Sequence, residues 1–86
     1  MQIVLLPTAK KDLEFWRKTG NKSILQKIEL LTEANVELPY SGIGKPEPLK
    51  YQFTGCWSRR ITKEHRLVYE ISDNKIILHS LKGHYF

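Results

Sequence analysis

Disulfide chemistry is the first thing missing from this sequence. A single cysteine, Cys56, excludes an intramolecular disulfide framework and suits a reducing cytoplasm. No Cys/His pair has the sequence spacing of a structural zinc site, and no Asp/Glu pair or His/Cys cluster has ligand spacing, so neither metal nor cofactor is expected. Long apolar runs are absent as well. The opening Met1-Gln2-Ile3-Val4-Leu5-Leu6-Pro7 has no basic region ahead of its apolar residues and is far too short for a signal core or a membrane span. No membrane association is expected, and the chain reads as cytoplasmic. Repeats, low-complexity tracts and a disordered composition are also missing, which leaves an ordinary globular protein.

What is present fits one domain spanning residues 1–86, long enough to bury roughly 60% of the surface of the unfolded chain. Acidic residues are the minority, with 14 Lys and Arg against 9 Asp and Glu for a net charge of +5. The excess is uneven. Met1 to Leu38 carries six basic and five acidic residues, a net +1, whereas Pro39 to Phe86 carries eight and four, a net +4. A polyanionic ligand is the natural inference for the second half, although a solubilising surface charge would have the same composition.

Gln2 to Leu6 reads as a first strand stopped by Pro7. Thr8 can cap a helix whose apolar stripe is Ala9, Leu13 and Trp16, ending at Gly20. Asn21 or Ser23 can cap a second helix that buries Ile24, Ile28 and Leu31, reinforced by Leu25 and Leu30. Between Val36 and Pro48 the residues Pro39, Gly42, Gly44, Pro46 and Pro48 exclude helix and central strand alike. Strand candidates follow at Leu49 to Phe53, Trp57 to Thr62, Arg66 to Ile71 and Lys75 to Leu81, punctuated by Gly55, Lys63-Glu64 and Asp73-Asn74. The expected class is α+β: an N-terminal strand, a two-helix hairpin, then an antiparallel meander with the helices on one face. The period of two sends Leu67, Tyr69 and Ile71 toward the helices and Arg66, Val68 and Glu70 to an open face.

Carboxylate, imidazole and guanidinium groups crowd the basic half in Lys45-Pro46-Glu47-Pro48-Leu49-Lys50, Ser58-Arg59-Arg60-Ile61 and Glu64-His65-Arg66-Leu67-Val68-Tyr69, and the chain ends on His84-Tyr85-Phe86. Such groups can carry out proton transfer and phosphate stabilisation together, which suggests chemistry on a phosphodiester. These segments, with Gly42-x-Gly44 and Gly55-x-Trp57, resemble the YoeB/Txe toxins of the RelE/ParE superfamily over nearly the whole chain. The resemblance implies a RelE-like small domain and a bacterial toxin that cleaves mRNA in the ribosomal A site without a metal. It further implies a general base at Glu47, a phosphate-binding arginine at Arg66, a general acid at His84 and a substrate-contacting tyrosine at Tyr85. Lys50 and His65 also occupy motif positions. Lys82-Gly83 stands where the family usually carries an Arg-aromatic pair, and Phe86 extends past the usual terminal tyrosine.

RNA supplies its own nucleophile, the 2′-hydroxyl, so a metal-free nuclease needs a base, donors for the pentacovalent transition state and an acid for the 5′-oxygen. Glu47 can be the base, given partial burial between its prolines. Arg66 offers a planar cationic fork, His84 titrates near neutrality, and Tyr85 can stack on a base. Each has a plainer rival: a solvated loop charge for Glu47, a sheet-surface pair with Glu64 or Glu70 for Arg66, mere exposure for His84. The resemblance, not the spacing, lifts these residues above such rivals. RNA contacts are expected from Lys45, Lys50, Arg59, Arg60, Lys63, His65 and Lys82, with at most one of Arg59 and Arg60 sharing the site, because they point to opposite faces of a strand. The expected partners are a cognate acidic antitoxin laid over the basic half, the 70S ribosome A site with its mRNA, and operator DNA reached through the antitoxin complex, with a homodimer left open. Two non-catalytic readings remain at this point: a ParE-like poison that binds gyrase, and an autorepressor module acting with the antitoxin.

Overall fold

A computed structural model describes residues 1–84. The chain opens with strand β1 (Gln2–Leu5) and passes through helices α1 (Pro7–Thr19) and α2 (Lys22–Glu37). Strands β2 (Glu47–Pro48), β3 (Trp57–Arg60), β4 (Arg66–Ser72) and β5 (Lys75–Ser80) follow. The five strands make one sheet in the order β1-β5-β4-β3-β2. The meander from β2 to β5 is antiparallel as expected, while β1 lies parallel to β5, with Gln2 opposite Lys75 and Leu5 opposite Leu78. The sheet is therefore mixed. Among the described residues no helix is long and apolar enough to cross a membrane.

Helix α1 starts one residue before the expected cap: Leu6 is the N-cap and Pro7 occupies the first turn, where its missing N–H costs nothing. Gly20, at φ +67°, closes it in the left-handed conformation. Asn21 caps α2 by accepting the Ile24 N–H at 3.1 Å. Ala9, Trp16, Ile24, Ile28 and Leu31 then pack against Leu67, Tyr69, Ile76 and Leu78 to form the core between helices and sheet. Leu30 departs from expectation, since it is exposed and leaves the buried face to its neighbours. The Asp73-Asn74 turn joining β4 to β5 has positive φ at both residues, as the right-handed twist of a two-residue hairpin requires.

Two local differences bear on the site. Leu49 to Phe53 is not a strand; Tyr51–Phe53 is a 3-10 turn, entered through Tyr51 at φ +59°, and pairing shortens to Glu47–Pro48. The prolines explain this, because Pro48 has no N–H to continue a ladder beyond an edge. Gly44, at φ +79°, accepts the Arg60 N–H on its carbonyl at 2.7 Å and anchors the loop onto β3. A Cβ there would lie 2.8 Å from Leu31 Cδ2 and 3.1 Å from Arg59 Cβ. Gly44→Ala is expected to cost about 1–3 kcal/mol, from strained backbone and overpacking together. Urea unfolding should show a lower midpoint at unchanged slope; an unchanged midpoint would contradict this account of the loop.

Candidate active site

The register of three strands assembles the site. Glu47 on β2 pairs with Ser58 on β3, which pairs with Val68 on β4, and the next rung on the same face pairs Arg60 with Arg66. Residues two apart on a strand share a face, so the carboxylate of Glu47 and the guanidiniums of Arg60 and Arg66 lie on neighbouring rungs. This is the face away from the helices. It is not open as the sequence suggests: Ser58, Val68 and Ser80 are buried on it, and Arg66 retains 9% of its surface. Leu49, Lys50, Tyr51 and Phe53 of the turn wall one side of a cavity of about 500 Å³, which Glu47, Ser58, Arg60, Arg66 and His84 also line.

His84 arrives by a clamp built from distant residues. Beyond β5, the Leu81 N–H donates to Asp12 Oδ2 at 2.8 Å and the Leu81 carbonyl accepts Trp16 Nε1–H at 2.8 Å, both from α1. Next, the Gly83 N–H donates to His65 Nδ1 at 3.0 Å, and the Arg66 N–H donates to the Gly83 carbonyl at 2.9 Å. His65 is itself held edge-on to Trp16 with ring centroids 4.8 Å apart. Gly83 sits at φ +86°, a conformation glycine adopts freely and other residues resist. The chain thus turns at Gly83 and delivers His84 to the cavity.

The side chain of Arg66 is fixed at one end. Its Nη1 donates to the carbonyls of Thr62 at 2.9 Å and of Lys63 and His65 at 3.2 Å, and not to Glu64 or Glu70. Burial lowers its pKa, the neighbouring Arg60 lowers it further, and Glu47 opposes both. His84 is likewise pushed below its ordinary value, by desolvation first and then by Arg66 and Arg60, with Glu47 again opposing. Two cations held side by side with one carboxylate and an imidazole make a site that gains by admitting an anion.

The family model described as "YoeB-like toxin of bacterial type II toxin-antitoxin system" matches residues 6–85. The chain belongs to the YoeB-like toxin family. It is 49% identical over 70 residues to the toxin YoeB of Synechocystis, covering 81% of each chain. The structure of a YoeB/ParE toxin from Agrobacterium tumefaciens superposes with a TM-score of 0.94 at 39% identity, covering 99% of this chain and 100% of that one. A YoeB dimer from Staphylococcus aureus superposes at 0.91 with 41% identity, covering 99% of this chain and 98% of that one. A YoeB–YefM complex from the same organism superposes at 0.89 with 42% identity and the same coverage.

Against the YoeB-like pattern, Glu47, Lys50, Arg60, Arg66 and His84 come together around the cavity. Glu47 is exposed rather than partly buried between its prolines. Lys45 and Lys63 are exposed outside the cavity wall. Lys82 lies with its ammonium 3.9 Å over the Phe15 ring, toward α1. Arg59 cannot contact RNA as expected: it is fully buried on the helix side, donating Nε–H to Asn35 Oδ1 at 2.6 Å, Nη1 to the Ile43 carbonyl at 2.7 Å and Nη2 to the Leu38 carbonyl. His65 is half-buried in the tail clamp. Tyr85 and Phe86 lie outside the described residues. Sequence reasoning missed Asp12 and Trp16 as tail anchors, because an α1 stripe reads as core whatever its polar atoms hold. It also missed Tyr51, 85% exposed on the cavity rim, which positive φ and an X-Lys-Tyr context do not announce.

Proposed function

We propose that this YoeB-family toxin is an endoribonuclease that cuts mRNA on the ribosome by attack of the 2′-hydroxyl, leaving a 2′,3′-cyclic phosphate or its 3′-phosphate. The observation that carries the reading is the convergence of Glu47, the Arg60–Arg66 rung and His84 on one cavity. Glu47, exposed at the end of β2, takes the proton of the 2′-hydroxyl. Arg66, with Nη1 pinned by three carbonyls, presents its remaining donors to the phosphate, and Arg60 adds charge to the same oxygens. His84 protonates the 5′-oxygen. Desolvation and then Arg66 and Arg60 depress its pKa in the free protein, and a bound phosphate, by offsetting the two arginines, moves it back upward and favours the protonated form. Tyr85 is the substrate-contacting tyrosine of the same reading, and Tyr51 offers an aromatic face for a base.

Lys45, Lys50 and Lys63 supply sequence-independent affinity for ribosomal and messenger RNA, which weakens with salt. An acidic antitoxin fits the same basic half and would block it, with operator DNA reached through that complex; the Staphylococcus aureus relatives are seen both as a dimer and bound to YefM. The test is cleavage by the chelator-stripped protein added to programmed 70S ribosomes in their normal magnesium buffer, read by mapping the 5′ ends of the mRNA. New ends at A-site codons, absent without ribosomes, are the expected result. Intact mRNA beside gyrase-dependent DNA breaks would overturn the reading in favour of a gyrase poison. Intact mRNA with no breaks would leave only the autorepressor module.

A further inference from the structure

A second cluster of reactive side chains lies apart from the cavity. Cys56 immediately precedes β3, Glu70 is on β4 and His79 on β5, so three adjacent strands contribute one group each. Their donor atoms all lie within 4.8 Å of one another. Cys56 Sγ is 3.6 Å from His79 Nε2, and the same Nε2 is 2.6 Å from Glu70 Oε1. Trp57 pairs with Tyr69, which sets Cys56 across from Glu70. The placement of His79 comes from a bulge. Tyr69 faces Leu78 while Val68 faces Ser80, so His79 is the extra residue, and its ring is re-aimed toward the other two.

Cysteine, histidine and glutamate in contact also make the parts of a nucleophilic triad, but the geometry excludes one. A triad uses the two ring nitrogens separately, one toward the nucleophile and one toward the carboxylate. Here a single nitrogen, Nε2, faces both partners. Three lone-pair donors converging on one point are the arrangement of a cation site. Tetrahedral zinc, with about 2.3 Å to sulfur and about 2.0–2.1 Å to nitrogen, needs sulfur and nitrogen about 3.6 Å apart. That is the separation present. To admit an ion the His79–Glu70 contact must open by under about 1 Å, and the Glu70 carboxylate, within 4.8 Å of the Cys56 sulfur, must swing toward it to share a shell.

We propose that Cys56, Glu70 and His79 form a binding site for a zinc-class divalent cation, ligated by thiolate, carboxylate and imidazole Nε2 and completed by a water. The mixed sulfur, nitrogen and oxygen set selects zinc over magnesium or calcium, which take oxygen shells. Binding exchanges the Cys56 S–H bond for a sulfur–metal bond and releases that proton to solvent. The sulfur ligates as thiolate, a form that the divalent charge itself favours. None of the three lines the Glu47–Arg66–His84 cavity, so the ion would be structural and not a participant in cleavage. It would still be felt there, because the Cys56 carbonyl accepts the Leu49 N–H at 2.9 Å and so ties the cluster to the segment carrying Glu47 and Lys50.

The probe is Zn²⁺ alone, titrated into the full tag-free chain and read by native mass spectrometry and calorimetry, with Co²⁺ as a spectroscopic substitute. One Zn²⁺ per chain is expected, with a raised Tm and, for Co²⁺, tetrahedral d–d bands plus a thiolate-to-metal charge-transfer band. Cys56→Ser should abolish that band, and Cys56→Ser, Glu70→Gln and His79→Ala should each weaken Zn²⁺ binding by about tenfold or more. His84→Gln should bind as the parent does. Circular dichroism reports whether each variant folds, and His79→Ala carries the test if Cys56→Ser does not. No uptake by the parent chain, equal affinity in the folded variants, or loss that follows His84→Gln would each overturn the assignment.

Discussion

Replacing Glu47 by Gln or His84 by Gln is expected to slow ribosome-dependent cleavage by roughly 10²–10⁴-fold, the range for losing a positioned acid or base. Arg66→Lys should lose about 10²–10³-fold, because an ammonium keeps the charge but not the fork that spans a phosphate. All three should keep the circular dichroism of the parent, since Glu47 and His84 are exposed and Lys at position 66 retains a donor for the carbonyls of Thr62, Lys63 and His65. The pH dependence separates the roles. Arg66 and Arg60 depress the His84 pKa and Glu47 raises it, so Glu47→Gln should move the imidazole titration to lower pH and Arg60→Ala to higher pH. Nuclear magnetic resonance of the His84 ring reads both shifts without any turnover. A phosphate analogue should move it upward in the parent and less in Arg66→Lys. Full activity in His84→Gln, or a His84 titration indifferent to Arg60, would remove the acid from the mechanism.

The period-two pattern of β4 was enough to send Leu67 and Tyr69 to the core, and the i, i+4, i+7 stripes found Ala9, Trp16, Ile24, Ile28 and Leu31. Glu47, Arg66 and His84 were legible only through the resemblance, because their proximity depends on the rung pairing of β2, β3 and β4 and on a clamp from α1. Neither is local in sequence. The Cys56–Glu70–His79 cluster was invisible for the same reason: ligand spacing along a chain detects sites built on one hairpin or helix, and here three strands and a bulge bring the groups together. The strand expected at Leu49 to Phe53 failed because alternation there competes with Pro48 and with the positive φ of Tyr51.

Arg59 and Arg60 are adjacent, both basic and both were candidates for RNA contact, yet opposite outcomes are expected when they are replaced. The strand period sends Arg59 among the helices, where its guanidinium satisfies Asn35 and the carbonyls of Ile43 and Leu38 and lies 5.7 Å from the centroid of the Tyr69 ring. No carboxylate pairs with it among the described residues. Its neutral partners depend on it, so Arg59→Met leaves the Ile43 carbonyl and the Asn35 amide oxygen without donors and the Leu38 carbonyl with the Ser41 N–H at 3.4 Å alone, and it frees the 38–44 loop from β3 on one side. A loss of about 3 kcal/mol or more is expected, from buried acceptors left unsatisfied at about 1–3 kcal/mol each together with the lost packing. At about 4–8 °C per kcal/mol for a domain of this size, the Tm should fall by more than about 10 °C. Arg59→Lys should not restore it, because one ammonium cannot span three acceptors set by a planar fork. Arg60→Ala, exposed on the cavity face, should stay within about 0.5 kcal/mol of the parent while cleavage drops and its salt dependence weakens. Equal stability of the Arg59 and Arg60 variants would show that the buried arginine is replaceable packing, and the loop that carries β2 to the site would then need another anchor.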